Sequence, residues 1–294
     1  MPAAVLSSPA VRRRATATPA SPSAPTTSPL AAAYARLAEV FPGLRLAQMA
    51  RAPQGEGWVT GASLAAGGPA LEDFVAVDAA QALADHGRPA RPDVAATFAL
   101  HRYAWPAALA VTLPWFLLRR VPRTSPQHVS FHRGSGRLAV TAKEFACLPD
   151  DEAAGLPGAV VVRDEEALRA EVRSAVATQL EPVLAAFRPL LRRGPRGLWA
   201  MVTDEIVEGL WYTGHLLGEE ARAKAELARL LPGTVQPFVG GPAFRTLTGP
   251  DGAALPTRDR ASCCMYYTMR PEDTCITCPR TCDEERVARL TGAA

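Results

Sequence analysis

Five of the six cysteines fall between positions 263 and 282. Four of them occupy 16 residues: Cys263 and Cys264 side by side, ten residues, Cys275, two residues, Cys278. Thiols at this density have three chemical uses. A disulfide framework suits small secreted chains, and this chain has 294 residues. A zinc site takes four thiolates, commonly from two Cys-x2-Cys knuckles. One knuckle is present, but the other pair is adjacent, and neighbouring side chains in a strand point to opposite faces. Four cysteines also suit a [2Fe–2S] centre, whose two irons and two sulfides offer a wider target than one zinc.

The rest of the chain bounds the fold. Hydrophobic residues make up 48% and charged residues 21%, enough for one large domain or two small ones with a sizeable core. Residues 1–29 are Ala-, Pro-, Ser- and Thr-rich and carry Arg12, Arg13 and Arg14 with no acid, which reads as a disordered tail. Without those arginines the chain holds 29 basic residues against 29 acidic, so the net charge of +3 belongs to the tail. A broad nucleic-acid footprint is not expected from a neutral body. The arginine triplet lacks the apolar stretch of an export signal, although its acid-poor setting is shared by organellar transit peptides. The most apolar run, Tyr103 to Leu118, is 16 residues long and contains Pro106 and Pro114. A membrane span needs about 20 residues, so a buried core helix is expected, broken into two pieces at one of the prolines. The expectation is a protein without a transmembrane segment, in the cytoplasm.

Helices are expected at Leu30 to Val40, Leu71 to Asp85, from Asp93 to Leu118 and, with interruptions at Pro182, Pro189 and Gly194-Pro195, from Asp164 to Leu231. Asp283 to Leu290 closes the chain. Alternation in His128 to Arg133 and Arg137 to Phe145, about Gly134-Ser135-Gly136, predicts a hairpin, and Ala159 to Arg163 a further strand. Asp164 is a helix cap, with Glu165 and Glu166 in the first turn. The fold class is α+β, mainly α: a helical domain with a small antiparallel sheet and a Cys-rich C-terminal segment. No GxGxxG, GxSxG or HExxH motif occurs, and no flavin or nicotinamide motif.

The C-C-x10-C-x2-C pattern, preceded by Arg260 and followed by Tyr266-Tyr267, resembles the C-terminal signature of the FhuF-type ferric-siderophore reductases. Weaker likenesses lie at Gly57-Trp58-Val59 and Val94 to Pro106. The resemblance implies that Cys263, Cys264, Cys275 and Cys278 bind a [2Fe–2S] cluster, which passes one electron to siderophore-bound ferric iron and releases ferrous iron. It implies a ferric siderophore as substrate, of hydroxamate type in the family. It also implies a donor such as a ferredoxin or an NAD(P)H-dependent reductase. The organisation it suggests is a tail over 1–29, a helical domain over 30–255 and an iron–sulfur segment over 256–294. Two other readings stand beside it: a zinc-stapled interaction module, and a ferredoxin-like carrier that never meets a siderophore.

Around the cysteines, Arg260, Tyr266, Tyr267 and Arg270 are candidates for the surroundings of the cluster, against ordinary packing and solvated charge. Arg280 is another flanking cation. Cys282 reads as a bystander and Cys147 as a core thiol. Trp199, Trp211 and His215 read as packing rather than a pocket. His128 and His132 lie too far apart along a strand for chelation.

Overall fold

The computed structural model describes residues 28–292. Most of the expected tail therefore lies outside the described residues. The order is α1 (Ala31–Val40), β1 (Arg45–Gln48), β2 (Trp58–Thr60), α2 (Gly61–Ala65), α3 (Gly68–His86) and α4 (Pro92–Leu118). Then come β3 (Val121–Pro122), β4 (Val129–His132), β5 (Arg137–Val140), β6 (Phe145–Cys147) and β7 (Ala159–Val161). The chain ends with α5 (Glu165–Phe187), α6 (Pro195–Leu216), α7 (Glu220–Leu230), β8 (Phe244–Thr248), β9 (Ala254–Arg258) and α8 (Asp283–Leu290). It is an α+β fold in which helices dominate.

Helix α4 is the axis of the core. Twenty of its 27 residues are buried, Tyr103, Trp115 and Phe116 almost completely. A helix apolar on every side is stable only when surrounded, and α1, α3, α5 and α6 pack around it. Each large side chain removed from water contributes about 1.5–3 kcal/mol. Gly209 of α6 lets the two long helices meet closely: a Cβ there would sit 3.1 Å from Leu109 and 3.2 Å from the Trp105 indole nitrogen.

The expected break in α4 occurs at neither proline, and at Pro114 a group outside the helix takes up the freed carbonyl. Proline lacks an N–H, so the carbonyl four residues earlier loses its partner. For Pro114 that carbonyl is Ala110, and the buried Tyr34 hydroxyl of α1 donates to it at 2.8 Å. Pro182 likewise lies inside α5. The helix ends at Arg119, whose φ of 54° places it in the left-handed region.

The strands form three small sheets, and the expected antiparallel sheet is a mixed one. Its order is β1-β5-β4-β2, with β4–β5 the anticipated hairpin and β1 parallel to β5. The chain from β2 through α4 supplies the long crossover that a parallel pair requires. Residues 145–147 leave the hairpin and form β6, which lies between β3 and β7 and runs parallel to β7. Asp164 caps α5 as read, accepting from the Ala167 amide at 2.8 Å. Hairpin β8–β9 delivers the chain to the cysteines. Among the described residues, no helix is long and apolar enough to cross a membrane.

Candidate metal centre

All four cysteines of the pattern lie in loop between β9 and α8. That placement removes the objection to an adjacent pair. Cys263 and Cys264 are not in a strand, and Met265 takes a left-handed conformation, φ 67°. The turn carries the Met265 amide to 3.4 Å from Cys263 Sγ, and the Tyr266 amide lies near enough to the Cys264 sulfur to favour its charged form. Two consecutive N–H groups thus serve two consecutive sulfurs. The second pair is held by its own turn, Cys278 N to Cys275 O at 2.9 Å.

The thiols associate across the loop. Cys264 and Cys275 act on each other's charge, and Cys263 feels Cys264 and Cys278. The neighbouring Cys275 lowers the Cys264 pKa; burial opposes this, while the Tyr266 amide, Arg260 and His101 help. The neighbouring Cys264 and burial raise Cys275. Cys263 is raised by burial. Among the described residues, no three His, Cys, Asp or Glu side chains gather tightly enough for a single metal ion. Four sulfurs that act on one another across one loop, with amide donors and cations nearby, fit a two-iron group.

The loop is held to the body by buried charge. Asp204, on α6 and fully buried, accepts from Arg258 at 2.5 Å, from the Ala261 and Ser262 amides at 3.1 and 2.7 Å, and from the Ser262 hydroxyl at 2.8 Å. Arg258, also buried, reaches Glu208 and the Pro242 carbonyl. On the far side Arg286 of α8, 2% exposed, donates to the Cys278 carbonyl at 3.1 Å and to Asp259 at 2.8 Å. Burial disfavours the Arg260 charge, yet Asp204, Cys264, Glu205 and Glu208 hold its pKa above the ordinary value.

Beside Cys264 and Cys275 opens a groove of about 490 Å³. Tyr266 forms one wall, packed edge-on against His86 and beside Phe98. Helix α4 lays Phe98, His101, Arg102 and Trp105 along it, and α6 contributes Glu205. His101 Nδ1 meets Glu205 Oε1, and its Nε2 is buried without a hydrogen-bond partner among the described residues. The groove shares Gln81, Asp85 and Arg102 with a neighbouring hollow of about 880 Å³ that reaches Gly57 and His132.

Of the expected surroundings, Arg260 and Tyr266 lie at the cysteines. Tyr267 faces elsewhere, with the Arg280 guanidinium 4.1 Å from its ring centre. Arg270 is exposed and pairs with Glu272 and Asp273. Cys282 is exposed at the N-cap of α8, and Cys147 is buried in β6. Trp199 packs on Phe238, while Trp211 and His215 both bond Glu220. His128 bonds Ser125, and His132 packs against Trp58. Sequence reasoning missed Asp204, Glu205, His101 and the groove face of α4. A signal existed: Phe98, His101, Arg102 and Trp105 recur at i, i+3, i+4 and i+7, one helix face, and three acids interrupt the apolar pattern of α6.

Residues 260–280 match the family model of the FhuF 2Fe-2S C-terminal domain. The four cysteines fit its motif, so the segment is of a 2Fe–2S-binding type. The match is confined to this FhuF-type segment. No curated protein matches the chain.

Proposed function

We propose that this chain is a cytoplasmic ferric-siderophore reductase, in which the helical body over 30–255 receives the ferric complex and the segment over 256–294 holds a [2Fe–2S] cluster on Cys263, Cys264, Cys275 and Cys278. The observation that carries the reading is the groove opening directly onto Cys264 and Cys275. When bound, the cluster supplies one electron at a time. The chain's own residues do the rest. The Met265 and Tyr266 amides and Arg260 offset negative charge on the sulfurs. Phe98, Trp105 and Tyr266 give an apolar wall for a bulky ligand.

Charge in the groove favours one kind of complex. Asp78, Asp85 and Glu205 line it; Asp78 is paired with Arg102 and Arg133 and Glu205 meets His101, which leaves Asp85, bonded by Gln81, as the acid without a cationic partner. A neutral or cationic complex, such as a ferric tris-hydroxamate, is accommodated better than a highly anionic tris-catecholate. Siderophore oxygens are hard donors that hold ferric iron far more tightly than ferrous. One electron converts the bound Fe3+ to Fe2+, and the metal then leaves without bond cleavage in the ligand.

The test is single-turnover oxidation of the reduced protein by a ferric tris-hydroxamate, with a ferrous chelator present. About one ferrous ion per chain is expected, and Trp105→Ala is expected to weaken saturation several-fold. Reduced protein that no ferric siderophore reoxidises would leave only an electron carrier.

A further inference from the structure

A second charged surface flanks the same loop and shares no residue with the groove. Arg193 donates to the Cys263 carbonyl. Arg88 donates to the Thr268 carbonyl at 3.0 Å and to that of Met269. Arg280 lies over Tyr267, and Arg91 stands close enough to act on that tyrosine. Arg91 and Arg192 both approach Asp93, at 3.0 and 3.8 Å. Four of these arginines, Arg88, Arg91, Arg192 and Arg280, are exposed. Asp93 is the acid among them, and at the margin Glu272 and Asp273 are matched by Arg270 only in part.

This concentration of positive charge stands out against a neutral body. Asp93 offsets part of it and Glu272 lies near Arg88, yet the arginines outnumber these acids. It surrounds the side of the loop that carries Cys263, whose carbonyl is held by one of its members. Such a field attracts a partner of opposite charge and orients it on approach. The redox reading supplies what that partner must do: deliver one electron near these sulfurs.

We propose that the arginine surface formed by Arg88, Arg91, Arg192, Arg193 and Arg280 is the docking site of an acidic electron-donor protein. The inference rests on the proposed redox function. One electron leaves the donor's reduced centre, which is oxidised, and enters the centre held by this chain, which is reduced. No bond forms and no proton is required. The ferric complex enters by the acid-lined groove and the donor by the arginine surface, so the two charge patterns keep the reactants apart and both can be bound together.

The probe is an oxidised plant-type ferredoxin, an acidic protein, titrated into the iron-loaded chain by calorimetry at low salt and at about 0.2 M salt. Wild type is expected to bind at low salt and to lose most of that affinity at high salt, where the Debye length falls below about 10 Å. Arg91→Glu/Arg192→Glu is expected to weaken binding by roughly 10- to 100-fold. Arg91→Gln/Arg192→Gln, which keeps polar contacts to Asp93, is expected to fall between. Reduction by the methyl viologen radical cation is expected to be no slower in either variant. The proposal is overturned if wild type does not bind, if charge reversal leaves binding unchanged, or if viologen reduction slows equally. It is also overturned if the variants instead lose affinity for a ferric complex or for nucleic acid. A chain without a reducible centre that still binds the ferredoxin contradicts the proposed function, which separates the two failures.

Discussion

The helical body and the cysteine segment are stabilised by opposite means. Around α4 the contacts are mainly apolar, and its polar groups are met singly: the Tyr34 hydroxyl on Ala110, the Gln179 amide on the Tyr103 hydroxyl, Glu205 on His101 and Asp78 on Arg102. Between β8 and α8 little apolar surface is buried, and the largest fully buried side chains there are Arg258 and Arg286. A loop that presents four sulfurs has few positions left for packing. Its backbone polar groups still need partners, and guanidinium groups reach several at once. The body can lose a methyl group and adjust. The segment depends on a few charges, each of which leaves an unpaired ion if its partner goes.

The largest expected effect separates the sulfurs. Cys264→Ser or Cys278→Ser is expected to remove most of the iron, measured per chain after anaerobic purification, while Cys282→Ser and Cys147→Ser keep it. Loss of iron in Cys282→Ser with retention in Cys278→Ser would reassign a ligand. Next comes Asp204→Ala, which takes from Arg258 its buried partner, leaving it Glu208 and the Pro242 carbonyl, and strands two amides. A broken buried pair costs about 3–5 kcal/mol. The loss should be local: proteolysis between β8 and α8 and iron release, with helical circular dichroism largely retained. Cooperative loss of both would show that body and segment form one unit.

A smaller effect lies inside the body. Tyr34→Phe removes the partner of the carbonyl orphaned by Pro114, at a cost of about 1–3 kcal/mol. In a thermal melt that is roughly 2–10 °C for a domain of this size, with iron content unchanged. The smallest concerns acid. Lys224, Trp211 and His215 hydrogen-bond Glu220 and hold its pKa at about 2, below the usual 4.5. A depressed carboxylate pKa means that its stabilisation is fully present above about 4.5 and is lost as pH falls toward 2. At this partly exposed site it amounts to less than about 1 kcal/mol. Wild type should therefore exceed Glu220→Gln in Tm at pH 7 and converge with it only as pH falls to about 2. A constant difference across that range would remove the carboxylate from the account.

The two regions were also unequally legible in the sequence. Local signals located α8, with its acidic first turn, and the Asp164 cap, because the residues that decide them are neighbours in the chain. Cysteine spacing located the segment that matches the 2Fe-2S family model, because ligand chemistry restricts residue type and separation. What failed was decided at a distance. The prolines of α4 predicted a break, and at Pro114 the carbonyl it frees is taken up by Tyr34, 80 residues earlier in the chain. Strands β1 and β2 are too short to show alternation. The adjacent cysteines argued against convergence on strand geometry, which the left-handed Met265 replaces. The groove needed α4 and α6 to be placed side by side before Phe98, His101, Trp105 and Glu205 had a common surface.

The central claim is that four sulfurs on a charge-anchored loop hold two irons and two sulfides. Iron, zinc and acid-labile sulfide in the anaerobically purified chain, with electron paramagnetic resonance before and after one-electron reduction, test it most directly. Two irons, two sulfides and a signal that appears on reduction are expected. A colourless chain with one zinc, no sulfide and no signal would contradict it.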